Sequence, residues 1–432
     1  MDPVRNPYAP GAGQRPPELA GRDGELAAFD VLLERVVRGR AERSLMLTGL
    51  RGVGKTVLLN ALRSAAVRAG WGTGKLEARP DQALRRPLSA AMHVAIRELG
   101  AGGSTASGSG STASGSGSGS GSTASAEANE YVLGVLKSFA LKAVAETKLR
   151  DRWQPGIEAV AIPGRADSGD IEIDLVELFA DAAGLAADAG RGIALFIDEL
   201  QDLGPADISA LCAACHELSQ HQLPLIVVGA GLPHLPAVLS ASKSYSERLF
   251  RYLRVDRLDR AAADRALQAP ARDEQAEFST DALDRMYALT AGYPYFVQAY
   301  GKTVWDLAPT SPITAADVAV AAPEAEAELA LGFFGSRLER ATPAEREYLY
   351  AMAGVSEQAG EQAGAQPESS GTADSVPTAA VADRLGRKPQ SLSPARDGLL
   401  KKGLIYSGER GRIAFTVPHF GRYLRAQQLD EL

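Results

Sequence analysis

Ser44-Leu45-Met46-Leu47-Thr48-Gly49-Leu50-Arg51-Gly52-Val53-Gly54-Lys55-Thr56-Val57-Leu58-Leu59 is the stretch that decides the fold of this 432-residue chain. Residues 44–48 form a short apolar run suited to a buried parallel strand. Residues 57–62 open a helix, and between the two lies a turn that fits G-x-x-x-x-G-K-[ST] in full. Gly49, Gly52 and Gly54 let backbone N–H groups converge on phosphate oxygens, and the helix adds its positive N-terminal end. Lys55 is expected to reach the β- and γ-phosphates and Thr56 to hold Mg²⁺ through its hydroxyl, with Arg51, Val53 and Val57 as further nucleotide contacts. A chance glycine-rich turn is the competing explanation. It is disfavoured because the motif sits between a strand and a helix, as phosphate binding requires.

A second apolar run, Ile193-Ala194-Leu195-Phe196-Ile197, ends in Asp198-Glu199. Such an ending usually marks only a loop, but behind a phosphate loop in the same sheet it points to chemistry. Asp198 is expected to bind Mg²⁺ through water, and Glu199 to polarise the attacking water. The separation of Lys55 from Asp198 is long, and two insertions account for it. Residues 101–126 are almost entirely Gly, Ser, Thr and Ala and are expected to be a flexible linker between helices at 88–99 and 131–149. Residues 154–174 hold two alternating pieces around a Gly/Pro-rich turn and are expected to be an inserted β-hairpin.

Helical patterns at 24–40 and 175–189 and further strands at 225–228 and 252–255 complete an alternation of helix and strand. That alternation predicts a parallel sheet with helices on both faces. Residues 261–307 are helical throughout. The chain carries 45% apolar and 23% charged residues, the composition of a globular protein of two or three domains. No eighteen-residue apolar run exists, so no membrane span is expected. The opening Met1-Asp2-Pro3-Val4-Arg5-Asn6-Pro7 lacks the pattern of a secretory signal, and with two cysteines in the chain a cytoplasmic location is expected.

With these motifs in place, residues 18–300 resemble the AAA+ and STAND group of P-loop ATPases. The resemblance implies a three-layer α/β core with a parallel sheet over 18–256, binding ATP and Mg²⁺, and a helical lid over 257–335. Leu19-Ala20-Gly21-Arg22-Asp23-Gly24-Glu25-Leu26 looks like the G-R-x-x-E-L box of origin-recognition-type members, which lies against the adenine; Arg22 is therefore a nucleotide-site candidate. A helix N-terminus capped by Asp23 explains the same residues equally well. Arg248, or Arg251, sits where the group places an arginine that senses the γ-phosphate, at home or in a neighbouring copy of a homo-oligomer; an exposed helical ion pair is the plainer alternative. Gly292-Tyr293-Pro294 resembles the G-x-P motif whose proline packs near the nucleotide. The strand at 225–228 runs into Gly229-Ala230-Gly231, with no Asn or Thr where the group carries its polar sensor. The usual lid arginine is missing too, which implies a slow switch.

Cys212-Ala213-Ala214-Cys215-His216 matches the haem-attachment pattern C-x-x-C-H, but it lies in an apolar helical stretch where cysteines act as small core residues, so no haem is expected. Residues 1–17 are expected to be a poorly ordered leader, 336–355 a connecting helix and 356–377 a flexible linker. The net charge is -7, yet residues 378–432 carry ten Lys/Arg against five Asp/Glu. That tail resembles a winged helix, with a recognition helix within 389–402 and a wing at 404–415. Arg387, Lys388, Arg396, Lys401, Lys402, Arg410 and Arg412 are candidates for the phosphates of duplex DNA. Three functions remain in play: an ATP-hydrolysing switch, a non-hydrolysing nucleotide-gated DNA-binding regulator, and an assembly scaffold whose tail binds protein.

Overall fold

The computed structural model describes residues 1–11, 13–102, 120–145, 156–362, 375–407, 411–417 and 419–430. In chain order the core contains α1 (Asp23–Val37), β1 (Ser44–Thr48), α2 (Lys55–Arg68), β2 (Gly72–Glu77), α3 (Arg85–Gly102), α4 (Ser120–Ala145) and α5 (Ile171–Asp188). It continues through β3 (Ile193–Asp198), α6 (Pro205–Gln220), β4 (Leu225–Gly231), α7 (Leu235–Ser242), α8 (Ser246–Leu249) and β5 (Phe250–Arg254). The strands form one parallel sheet in the order β2-β3-β4-β1-β5. Because a strand sends alternate side chains to opposite faces, each central strand serves two cores. Leu47, Phe196 and Val228 pack with Phe29 of α1 and Leu58 of α2, while Met46, Leu195 and Val227 pack with Phe179 of α5 and Leu211 of α6. This is the three-layer arrangement expected from the alternation of helix and strand.

Strand β2 has no counterpart among the sequence expectations. Its sequence, Gly-Thr-Gly-Lys-Leu-Glu, has little strand propensity. The glycines are there for packing: a Cβ on Gly72 would lie 2.4 Å from the Ala95 carbonyl oxygen, and one on Gly74 would lie 2.6 Å from that of Ala91. Helix α3 thus presses directly on the strand backbone.

The expected hairpin at 154–174 is not formed by the described residues from 156 onward. Residues 156–162 run extended along α4, where Ile162 N–H donates to the Gly134 carbonyl and Lys137 Nζ to that of Ala159. Ile157 and Ala159 face the core, so the alternation was real but serves a helix rather than a partner strand. Asp170 begins α5 as its cap, accepting from the backbone N–H groups of Glu172 and Ile173. Asp174 is fully buried on the Arg85 guanidinium at 2.8 Å. Most of the expected linker at 101–126 lies outside the described residues, but α4 already begins at Ser120.

The lid comprises α9 (Arg260–Asp273), α10 (Thr280–Thr290), α11 (Pro294–Leu307) and α12 (Ala315–Leu329). The leader is not loose. Trp305 Nε1 donates to the Asp2 carbonyl, the buried Tyr8 hydroxyl donates to that of Leu267, and Asn60 Nδ2 of α2 donates to that of Gly13. Residues 1–11 therefore lie against the lid and Gly13 against the core, anchored by aromatic residues and backbone carbonyls that composition alone does not reveal.

After the lid come a π-helical segment (Ala330–Gly335), α13 (Ser336–Leu338), α14 (Pro343–Gln362), β6 (Val376–Pro377), α15 (Thr378–Arg384), α16 (Ser393–Lys401), β7 (Ile405–Tyr406), β8 (Arg412–Phe415) and α17 (Phe420–Asp430). A small antiparallel sheet, ordered β6-β8-β7, lies beside α14–α16. The expected linker at 356–377 is helical through Gln362 and ends in β6; residues 363–374 lie outside the described residues. The expected connecting helix is broken between α13 and α14, where Thr342 and Glu345 exchange capping hydrogen bonds.

Candidate nucleotide site

Parallel strands bring their C-terminal ends to one edge, so the turn after β1, the acids after β3 and the end of β4 meet there. Gly52 and Gly54 have φ of 84° and 89°, backbone that favours glycine. Gly49 is needed for another reason: a Cβ there would lie 2.2 Å from the Val255 carbonyl oxygen just past β5. Arg22, only 8% exposed, braces the turn by donating to the carbonyls of Val53 and Asp256. Asp23 is the first residue of α1, not its cap, and its carboxylate accepts from Arg265.

Lys55 Nζ donates to the carbonyls of Gly49 and Leu50 at 2.9 and 2.8 Å. Burial, with Arg51 beside it and Glu199 and Asp198 opposing, pushes Lys55 down to about 8. Thr56 Oγ1 donates to Asp198 Oδ2 at 2.7 Å, so a hydroxyl and a carboxylate, two hard oxygen donors, converge at the mouth of α2. Those are the donors a Mg²⁺ site beside phosphates calls for. Glu199 adopts φ 49°, turning its carboxylate back toward the loop, where Oε1 accepts from Arg51 Nη1 at 3.2 Å.

A cleft of about 540 Å³ opens over the turn, with Val57, Pro294 and Arg22 in its walls. Pro294 starts α11, and Tyr295 N–H donates to the Gly52 carbonyl. The preceding Gly292 has φ 71°, and a Cβ there would meet the Leu258 carbonyl oxygen at 2.2 Å, which explains Gly-Tyr-Pro at the lid junction. Arg248 is not brought to this cleft within the chain. It is exposed in α8, just before β5, whose Phe250 pairs with Ser44 at the start of β1; the turn leaves the far end of that strand. Arg251 is exposed on the same side.

Several residues of the cleft escaped the sequence motifs. Arg337 of α13 lines it, lies 3.7 Å over the Phe333 ring and donates to the Phe333 carbonyl. Burial and the neighbouring cations Arg51 and Arg340 lower it to about 10. The leader contributes Ala9 and Gly13, and α11 contributes Gln298. The backbone N–H of Arg51, inside the turn, donates to the Thr416 carbonyl just past β8 at 3.2 Å. Nothing local marks these residues; they arrive through tertiary folding.

A glycine turn after β1, an acid-tipped β3 set apart from it by β4, and a helical lid above the cleft together give the P-loop fold of AAA+ type. Comparison with known proteins agrees: residues 18–228 match the AAA ATPase domain family, and residues 331–424 match a domain of unknown function, DUF8462. The chain is similar to the Walker-type ATPase PABY2304 of Pyrococcus abyssi, with 16% identity, 95% of this chain and 97% of that chain covered, and a TM-score of 0.55. Further matches are the RuvB Holliday junction branch migration motor of Thermotoga maritima (17% identity, 96% and 99% covered, TM-score 0.43) and Cdc6p of Pyrobaculum aerophilum (14%, 100% and 99%, TM-score 0.39). At 16% identity the likeness to PABY2304 concerns the fold alone. A search of curated proteins found no match.

Cys212 and Cys215 are buried on α6, and burial pushes the thiol of Cys212 up to about 12 and that of Cys215 higher still. No helix among the described residues is long and apolar enough to cross a membrane.

Proposed function

We propose that the chain hydrolyses ATP to ADP and phosphate with Mg²⁺, as a slow switch read out by its C-terminal unit. The observation that carries this is the convergence of Lys55, Thr56, Asp198 and Glu199 at one sheet edge. Lys55 leaves its loop carbonyls for the β- and γ-phosphates, the loop N–H groups take the phosphate oxygens, and Arg337 supplies a further cation to the polyphosphate. Thr56 and Asp198 would hold Mg²⁺, which would supply neutralising positive charge to the polyphosphate. Glu199 accepts hydrogen from the attacking water and directs it at the γ-phosphorus. Arg22 and Pro294 shape the nucleoside end of the cleft.

Support for a switch comes from the hydrogen bond between the Arg51 peptide and Thr416. A loop that rearranges around phosphate changes its grip on the C-terminal unit, a winged helix in our reading, and lid rotation transmits the rest. Contact with duplex DNA would rest mainly on Lys388 and Lys401, exposed cations for which no ion pair is formed among the described residues. Arg248 would act only on a neighbouring copy. The decisive experiment is phosphate release by purified protein with Mg²⁺ and ATP, with and without duplex DNA, beside Lys55→Ala. Release at the same rate by wild type and variant, or by neither, defeats the proposal.

A further inference from the structure

Strand β4 ends in Gly229-Ala230-Gly231 and offers no polar side chain to the site. Packing explains why. A Cβ on Gly229 would lie 2.5 Å from Met46 Sδ and 2.7 Å from Leu200 Cδ1. One on Gly231 would lie 2.5 Å from Gln201 Oε1. The space beside the end of β4 is thus already filled, and at position 231 it is filled by an amide.

Gln201 lies in the short 3-10 turn Leu200–Asp202 that follows Glu199. Its Oε1 accepts from the Leu232 backbone N–H at 3.0 Å. A backbone N–H only donates, so this contact fixes which end of the amide is oxygen. Nε2 must then face the other way, where it donates to Glu199 Oε2 at 2.7 Å. The opposite oxygen, Oε1, is held by Arg51 at 3.2 Å. The two partners differ in kind. Arg51 belongs to the phosphate loop, where an incoming phosphate would compete with Glu199 for its guanidinium. Gln201 is anchored to the end of β4 and has no such reason to leave. Its amide is also neutral, so it orients the Glu199 carboxylate by hydrogen bonding without adding a charge beside it.

We infer that Gln201 is the positioning residue for Glu199, tying the carboxylate to the end of β4 in place of a side chain from that strand. The inference rests on the ATPase function proposed above. It also reinterprets the polar sensor missing from β4: the polar group comes from the turn after β3, and the glycines of β4 make room for it.

The test uses the full chain with Gln201→Leu and Gln201→Glu, and Glu199→Gln as reference. Phosphate release gives kcat, thermal melts give stability, and calorimetry with a non-hydrolysable ATP analogue gives affinity. Gln201→Leu should lower kcat roughly 10- to 100-fold with affinity changed less than about 3-fold, since positioning matters to proton transfer and not to phosphate binding. Gln201→Glu retains the acceptor for Leu232, which preserves the fold locally, but sets a second carboxylate against Glu199. It should lower kcat as Gln201→Leu does, with affinity again changed less than about 3-fold, because the new charge repels the Glu199 carboxylate from its place. Unchanged kcat in both variants while Glu199→Gln is inactive overturns the role of Gln201 alone. So does a loss in Gln201→Leu that tracks its melting temperature while Gln201→Glu, of wild-type stability, turns over at the wild-type rate. Wild-type turnover by Glu199→Gln overturns the underlying ATPase mechanism instead.

Discussion

The nucleotide cleft and the C-terminal unit are both rich in cations, but they hold them differently. In the cleft Lys55 is tied only to loop carbonyls, and Arg337 rests on the Phe333 ring and carbonyl. Burial makes both easier to deprotonate than in water. Neither cation forms an ion pair among the described residues, and although Glu199 and Asp198 offset part of the burial at Lys55, an arriving polyanion relieves the rest. In the C-terminal unit Arg387 pairs with Glu347, Lys402 with Glu345 and Arg396 with Asp397, while Arg412 donates to Ser375. The excess of basic residues along the tail is largely taken up inside the protein. Charge counted along a sequence measures supply; only the fold shows how much is free to bind.

The comparison breaks most decisively at Lys55. If the cleft cations await phosphate, Lys55→Ala should cost about 2–5 kcal/mol of ATP binding, a near-complete loss in calorimetry. Glu199→Gln should keep ATP but reduce phosphate release by ~10²–10⁴-fold. Arg337→Ala should weaken ATP by ~10–100-fold, the loss of one charged hydrogen bond of about 1.5–3 kcal/mol. Equal affinity with and without Arg337 would mean that its contact with Phe333 is its whole role.

Acidity sharpens the same contrast. Lys55 titrates near 8 in the free protein, and binding needs its protonated form. ATP affinity should therefore be constant below that pH and fall above it, by up to about tenfold per pH unit until the bound-state pKa is reached. Stability of the free protein should move the opposite way. The folded Lys55 sits below its unfolded value, so the cost of burying its charge is present at low pH and is relieved as pH rises from about 8 toward the unfolded value. Thermal melts across that window, with Lys55→Met as control, separate the two trends.

The smallest effect is expected at the tail. With Arg387, Arg396, Lys402 and Arg412 engaged internally, Lys388 and Lys401 leave a DNA salt dependence of about -2 in log–log slope, at -0.9 per phosphate, and Arg410, which lies outside the described residues, would add at most about another -0.9. A steeper slope would mean that the internal pairs open on DNA.

The phosphate turn, its strand and the acid-tipped β3 were legible in the sequence because their requirements are local. A glycine at positive φ, a lysine at fixed spacing and an apolar run buried on both faces all leave marks within a few residues. The helical lid was legible through its continuous helical pattern. Strand β2 was not, since its glycines answer to the backbone of α3 and not to strand propensity. The segment at 156–162 showed true alternation, yet alternation reports one buried face and not what buries it. Residues 1–17 have the composition of a loose tail, but Tyr8 found a pocket beside Leu267 and Trp305 a carbonyl at Asp2.

What the sequence determined by itself, then, is a glycine turn of G-x-x-x-x-G-K-[ST] pattern on a parallel α/β sheet, with the Thr56 hydroxyl and the Asp198 and Glu199 acids brought beside it. Tertiary structure alone decided which cations are spare, that Arg337 joins the cleft from beyond the lid, and that Gln201 holds Glu199. It also set Arg248 at the opposite edge of the sheet. Those outcomes depend on contacts between residues far apart in the chain, and such contacts follow from how faces pack, which no local pattern encodes.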